Sequence, residues 1–462
     1  MPLVRCPKRR AVEVQCIACG RRATAPTSVH CAMLIAAAIA ATIQPRDIFD
    51  VRNFGAKGDG TTDDTKAFET AIAAAAKAPD YTRLVVSYAG SSSTYLIRPI
   101  NLTSKFELFI EDNTTVVGID DHTKWPVIPG APSYGQGRDH KGPRYTSLIH
   151  GEHLHQVAIR GAGPHSVIDG RGPYWWKRHK AKPSVEKYTR GHLIELMYST
   201  NVTIMSITMK DSPFWNTHIY DCDNVHIKGV NIIAPHDSPN TDGWDPDSSR
   251  NVIIEDSSYS GGDDCVAIKS GWDCFGIDYN KPTSNVIVRN VTCSGHIAGV
   301  AVGSEVSGGV SNVSIMNVTF LSANGAAHIK TGASRGGFVT NVSFVDLKVR
   351  PGVQIGAGIL VDTTYGDKNP SCPKGWKPKA LTRMDGPYTF YRIDASKAVV
   401  LDNPLHFYAP ESGINISGVV MKDVHLPEAK PGHDDWKCAK VSGKVYNGTV
   451  TPWPPCEGFT IV

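Results

Sequence analysis

An asparagine followed by valine opens a short alternating apolar run six times along the middle of the chain, at Asn201, Asn224, Asn251, Asn285, Asn312 and Asn341. Successive copies lie 23, 27, 34, 27 and 29 residues apart. Asn285-Val-Ile-Val-Arg-Asn-Val-Thr-Cys and Asn312-Val-Ser-Ile-Met-Asn-Val-Thr-Phe are close copies, and Asn341-Val-Ser-Phe-Val-Asp-Leu-Lys-Val keeps the pattern. Repetition at this period marks a solenoid whose units bury their apolar faces only against one another. β-Branched runs without helical spacing make the unit a coil of strands, so the fold class is all-β, a parallel β-helix. Asn and Gly fall at the bends, where left-handed backbone angles are needed.

Ahead of the repeats, Ala67, Phe68, Ala71, Ile72 and Ala75 recur at helical spacing, which predicts one amphipathic helix over 63–77. A β-helix ends in an open apolar coil that must be covered against edge pairing, and this helix is the expected N-terminal cap. Residues 120–190, with Trp125, Trp175, Trp176 and many Pro and His, read as loops over one face. From 365 onward Pro-rich turns replace the rhythm, as expected of a segment wrapping the far end. The chain divides into a leader over 1–45, a β-helix over 46–430 and a C-terminal tail over 431–462.

With 41 % hydrophobic and 20 % charged residues, the chain is too apolar to be disordered. Its net charge of +4 hints at a nucleic-acid partner only until it is partitioned. Residues 1–45 carry six basic residues against Glu13 alone, whereas the remainder carries 42 basic and 43 acidic residues. The body offers no electrostatic case for DNA or RNA. The longest apolar run, Ala32 to Ile43, has twelve residues, which is too short for an integral membrane segment. Behind Arg9, Arg10, Arg21 and Arg22 it reads as a secretory signal with a long basic stretch, although an acid-poor leader also fits a transit peptide. Cys6, Cys16, Cys19 and Cys31 lack the second pair a zinc site requires, so no metal or cofactor is expected. Nine Asn-x-Ser/Thr sequons favour secretion, while Asn-Val-Thr is equally a natural bend-then-strand string.

Two acidic clusters occupy equivalent places in adjacent repeats: Ser238-Pro-Asn-Thr-Asp-Gly-Trp-Asp-Pro246 and Gly261-Gly-Asp-Asp-Cys-Val-Ala-Ile-Lys269. Asp242 and Asp264 are 22 residues apart, about one coil, so stacking brings them together. Carboxylates in such reach repel one another, and at least one holds its proton near neutral pH. That group can serve as general acid while the others, ionised, activate water. Turn capping or a structural cation is the plainer use of such residues; the repeat register and flanking glycines favour catalysis.

Asn240-Thr241-Asp242 and Gly262-Asp263-Asp264 resemble two signature motifs of the polygalacturonases, family 28 of the glycoside hydrolases. The similarity covers roughly 48–430, and Val51-Arg-Asn-Phe-Gly-Ala56 resembles the start of many pectin-active β-helices. The resemblance implies a single right-handed parallel β-helix acting on pectic polysaccharide by inverting hydrolysis in a cell wall, with Asp263 as general acid, Asp242 and Asp264 activating water, and Asn240 among the substrate contacts. It implies no metal, and a monomer is expected. An inverting pair needs carboxyl groups about 6.5–9.5 Å apart, and one coil of stacking plus a side-chain offset is compatible with that gap.

Two other motifs depart from the family pattern in the manner of its plant-type branch. Ala298 stands at the histidine of Gly-His-Gly, with His296 two residues earlier, and His328-Ile329-Lys330 replaces Arg-Ile-Lys. Lys330, His328 and His296 are the substrate-binding candidates. A protonated His328 in place of arginine would favour mildly acidic conditions. Cys265 and Cys293 resemble a disulfide pair of the family, and Cys438 with Cys456 is a candidate pair to close the tail. Seven body cysteines leave at least one unpaired. Trp175 and Trp176 suit sugar stacking or loop packing equally well. Competing functions are a pectate-lyase-type eliminase on the same fold and a wall-polysaccharide-binding protein without catalysis.

Overall fold

The computed structural model describes residues 44–90, 93–181, 186–295 and 297–462. The leader readings and His296 lie outside the described residues. The body winds as stacked coils of a right-handed parallel β-helix. Eleven strands form the sheet that carries the acidic motifs: Ile100–Asn101 (β1), Ile149–Glu152 (β2), Ile194–Met197 (β3), Thr217–Tyr220 (β4), Trp244–Asp247 (β5), Val266–Ile268 (β6), Ala298–Val302 (β7), Gly325–Lys330 (β8), Ala357–Asp362 (β9), Leu405–Tyr408 (β10) and Trp436–Ala439 (β11). A larger parallel sheet supplies the other two sides of each coil. Its long strands, among them Arg250–Gly261, Thr283–Gly295 and Val310–Ser322, bend midway at Asp256, Asn290 and Asn317, which sit at φ 52°, 55° and 52°.

Register explains both the core and the corners. Val202, Val225, Val252, Val286, Val313 and Val342 pair in turn along one column, all buried. Each of the six repeated asparagines has φ between 51° and 61°, a region a branched side chain enters only at steric cost. Their amides also bond from coil to coil: Asn285 Nδ2 donates to Asn251 Oδ1 at 3.0 Å, Asn312 to Asn285 at 3.2 Å and Asn341 to Asn312 at 2.8 Å. The motif read as a repeat is thus a load of corner hydrogen bonds stacked over an apolar column.

The N-terminal helix spans Thr65–Ala75 (α1), and its apolar face joins the main core against the strands Asp47–Asp50 and Thr82–Val86. Two further helices escaped the periodicity. Gly172–Lys180 (α2) is held by burial of Trp175, which stands edge-on to Trp125 at 4.8 Å and Tyr145 at 5.2 Å, so both tryptophans of the pair pack rather than face solvent. Asp273–Tyr279 (α3) lies between Asn251 and Asn285 and accounts for the long interval of 34 residues. The segment after 365 does not simply wrap the far end. Its loop over 363–384 interrupts the rhythm, after which β10, β11 and the strands Asp385–Asp394 and Ile416–His425 continue both sheets. Disulfides join Cys265 to Cys293, Cys438 to Cys456 and Cys274 to Cys372, and among the described residues Cys222 is left buried and reduced.

Asn312→Val combines left-handed strain with the loss of two ladder hydrogen bonds, an expected cost of about 2–3 kcal/mol. Asn312→Gly keeps the backbone angle and loses only the bonds. Chemical denaturation should therefore rank wild type above the Gly variant and the Gly variant above the Val variant.

Candidate active site

Two turns leading into neighbouring strands, 238–243 before β5 and 261–265 before β6, bring the acidic motifs together. The Gly243 amide donates to the Asp264 carbonyl at 2.9 Å, which sets the turns one strand spacing apart. Gly262 is obligatory at this contact. A Cβ there would lie 1.9 Å from the Ser238 carbonyl oxygen, and its amide donates to Thr241 Oγ1 at 2.9 Å. The Tyr259 hydroxyl accepts from the Asp263 amide at 3.1 Å and lies 3.1 and 3.0 Å from the Thr241 and Asp263 carbonyl oxygens.

One oxygen from each of Asp242, Asp263 and Asp264 lies within 4.8 Å of the others. Asp242 and Asp264 are buried, while Asp263 is half-exposed to a cavity that all three line. Asn240, itself at φ 55°, donates from Nδ2 to Asp263 Oδ2 at 3.2 Å and accepts from Arg190 Nη2 at 2.8 Å. Its amide therefore orients the candidate acid.

The charges divide unequally. Lys330 Nζ donates to Asp264 Oδ2 at 2.7 Å, a charge-assisted contact. Burial, and then the neighbouring Asp264, raise Asp263 to about 6. Burial, with Asp263 and Asp245 nearby, also pushes Asp242 well above the usual carboxylate range. Lys269, buried, stands 3.4 Å from Glu305, 3.5 Å from Asp245 and 3.8 Å from Asp242. Burial works against its charge, and these acids outweigh that cost.

Sequence reasoning found the three aspartates, Asn240 and Lys330, all of which line the cavity. His328 shares the outward side of β8 with Lys330 but lies outside that lining. Burial and Lys330 hold its imidazole well below its ordinary value, so it is neutral. That direction favours packing of His328 on the strand over a protonated contact to a sugar carboxylate. Lys269, Asp245, Glu305 and Arg138 were missed as site residues. The first could have been found, because Ala267 and Lys269 take the outward positions of a strand whose Val266 and Ile268 face the core. Arg138 could not, since it arrives from a loop far away in sequence and donates to Glu305 at 2.7 Å. Besides the three aspartates, buried His192, Glu195 and His218 bring three possible cation ligands together; Glu195 already accepts from Arg144 at 2.8 Å and meets His218 Nδ1 at 2.7 Å.

Residues 103–445 match the family model of glycosyl hydrolases family 28. A "Probable polygalacturonase" of Vitis vinifera is 39 % identical over 408 residues, covering 87 % of this chain and 78 % of that protein. Among solved structures, a hyperthermoactive exopolygalacturonase from Thermotoga maritima superposes with a TM-score of 0.70 at 22 % identity, over 93 % of this chain and 94 % of its own. A polygalacturonase from Erwinia carotovora superposes with a TM-score of 0.64 at 21 % identity, over 87 % and 99 %. These two share the fold. The chain belongs to family 28 of the glycosyl hydrolases.

Gly262→Ala should push the two motif turns apart while leaving the coils intact. A displacement of about 1 Å at a reacting group costs on the order of 100-fold in rate. The expected result is a fall of that size in kcat/KM with an unchanged circular dichroism spectrum.

Proposed function

We propose that this family 28 hydrolase cleaves galacturonide linkages of pectic polysaccharide with inversion, using Asp263 to protonate the departing oxygen and Asp264, paired with Lys330, to activate water, with Asp242 bordering the same cavity. The observation that carries the proposal is the division of charge among three carboxyl groups in one cavity. Lys330 Nζ pairs with Asp264 Oδ2 at 2.7 Å, while burial and then the neighbouring Asp264 raise Asp263 to about 6. General acid and general base need those opposite states at the same pH. Asn240 and Arg190 fix the direction of the Asp263 carboxyl, and Lys269 and Lys330 place two cations beside the site of an anionic sugar chain. The inverting outcome is proposed from membership of the family. Three disulfides suit an oxidising compartment, in keeping with secretion to a cell wall.

The proposal separates from its two rivals in one assay. Purified protein is incubated with polygalacturonate and with rhamnogalacturonan, with calcium or with a chelator. New reducing ends without ultraviolet absorbance, insensitive to chelation, are expected. A calcium-dependent absorbing product would make the protein an eliminase, and binding without release would make it a wall-binding protein. Proton magnetic resonance of the first product should show the inverted anomer.

Asp263→Asn removes the proton donor and should lower kcat by about 10²–10⁴-fold. Because Asp263 acts only while protonated, activity should be present on the acid side and fall as pH rises through about 6. His328→Arg should leave the position of that limb unchanged. A profile that holds level to pH 8 would contradict the assignment of Asp263.

A further inference from the structure

Nine Asn-x-Ser/Thr strings lie in the body, and the fold puts their asparagines in different settings. Five stand in corners that stack coil upon coil, with φ between 51° and 57°: Asn201, Asn290, Asn312, Asn317 and Asn341. Asn290 Nδ2 donates to Asp256 Oδ1 at 2.9 Å, and its own Oδ1 accepts from Asn317 Nδ2 at 2.7 Å. Asn312 is held in the same way, between Asn285 at 3.2 Å and Asn341 at 2.8 Å. Asn201 Oδ1 accepts from Asn224 Nδ2. Each of these amides is part of the ladder that joins one coil to the next.

Asn101, Asn415 and Asn447 are set differently. All three are exposed, and among the described residues none makes a hydrogen bond to their side-chain amides. Asn101 ends β1 and points away from the core, since Ile100 beside it is buried. Asn415 leads into the strand Ile416–His425, and Asn447 occupies the turn after the strand Val441–Val445. None of them lines the catalytic cavity. Asn113 falls between the two sets, its side chain bonded at 3.4 Å to its neighbour Asp112 alone.

Attachment of an N-glycan joins Nδ2 to C1 of the first sugar. The bond from that C1 to the diphosphate of a lipid carrier breaks, Nδ2 gives up one proton, and the lipid diphosphate leaves. The product carries a substituted pyranose directly on the amide nitrogen, a bulky group suited only to an open surface. Ladder rungs are about 4.8 Å apart, narrower than such a ring, so a sugar on Asn312 would collide with Asn285 or Asn341. On Asn101, Asn415 and Asn447 it displaces nothing. We infer that Asn101, Asn415 and Asn447 are the N-glycan acceptors of the folded protein, and that the five ladder asparagines stay bare. The inference rests on the secretion to a cell wall proposed above, and it names where on the surface that route leaves its mark.

For the test, the full chain is secreted from a eukaryotic host behind a supplied leader. The purified, active protein is treated with peptide N-glycosidase in heavy-oxygen water, which turns each modified asparagine into labelled aspartate, and its peptides are mapped. Label is expected at Asn101, Asn415 and Asn447 and at none of Asn201, Asn290, Asn312, Asn317 and Asn341. Thr449→Ala keeps Asn447 but breaks its acceptor string; it should remove that label and the mass of one glycan while kcat/KM on polygalacturonate is unchanged. Label on a ladder asparagine of the active protein, or its lack at any of the other three, would overturn the assignment. The native leader is followed separately in plant cells. Recovery of the protein from plastids or cytosol in place of the wall would overturn the secretion reading, while the supplied leader still decides which asparagines accept.

Discussion

Parallel pairing of successive coils fixes a rise of about 4.8 Å, and any residue repeated in register is stacked at that spacing whatever its charge. For Val202 through Val342 the consequence is a continuous buried column. For the corner asparagines it is a ladder, because a side-chain amide can donate to the rung below and accept from the rung above. For Asp242 and Asp264 the same register forces two buried carboxyl groups together, with Asp263 beside them. The stability of the fold and the tension in its site have one cause.

That tension is contained by cations and by retained protons. Burying like charges side by side is expensive, and unpaired buried charge is worse. Lys330 takes Asp264, while Lys269 is shared among Asp242, Asp245 and Glu305, and Arg138 takes the other oxygen of Glu305. Three acids therefore share Lys269, and burial together with neighbouring carboxyl groups drives Asp242 and Asp263 upward. A glycosidase needs one carboxyl group protonated beside another that is ionised, and a surplus of buried acid over buried base supplies that pair without a separate device.

Features that repeat were legible in the sequence, and features that depend on single long-range contacts were not. The asparagine column, the apolar alternation and the two acidic turns each recur at one coil, so spacing alone placed them. Gly262 was visible as a glycine, but its reason, the Ser238 carbonyl 1.9 Å from its missing Cβ, belongs to a neighbouring coil. The placement of the loop over 131–140 was invisible because Ser133, Tyr134 and Arg138 find partners 87 to 235 residues away, with no periodicity to announce them. The setting of His328 was hidden for a related reason. Its motif allows a cation, and only the folded strand shows a partly exposed imidazole that desolvation and the nearby Lys330 hold below its ordinary value. Helix α2 likewise exists because Trp175 has a pocket between Trp125 and Tyr145, which no local propensity encodes.

The central claim is that coil register, through burial and crowding, keeps a proton on Asp263 at a pH where a free aspartate has lost it. Infrared difference titration of the carboxyl carbonyl stretch, comparing wild type with Asp263→Asn, reads that proton directly. The account predicts a protonated carboxyl signal in the wild type that disappears with a midpoint of about 6 and is missing from the variant. Loss of every carboxyl signal near pH 4, the ordinary aspartate range of about 3.9, would contradict it.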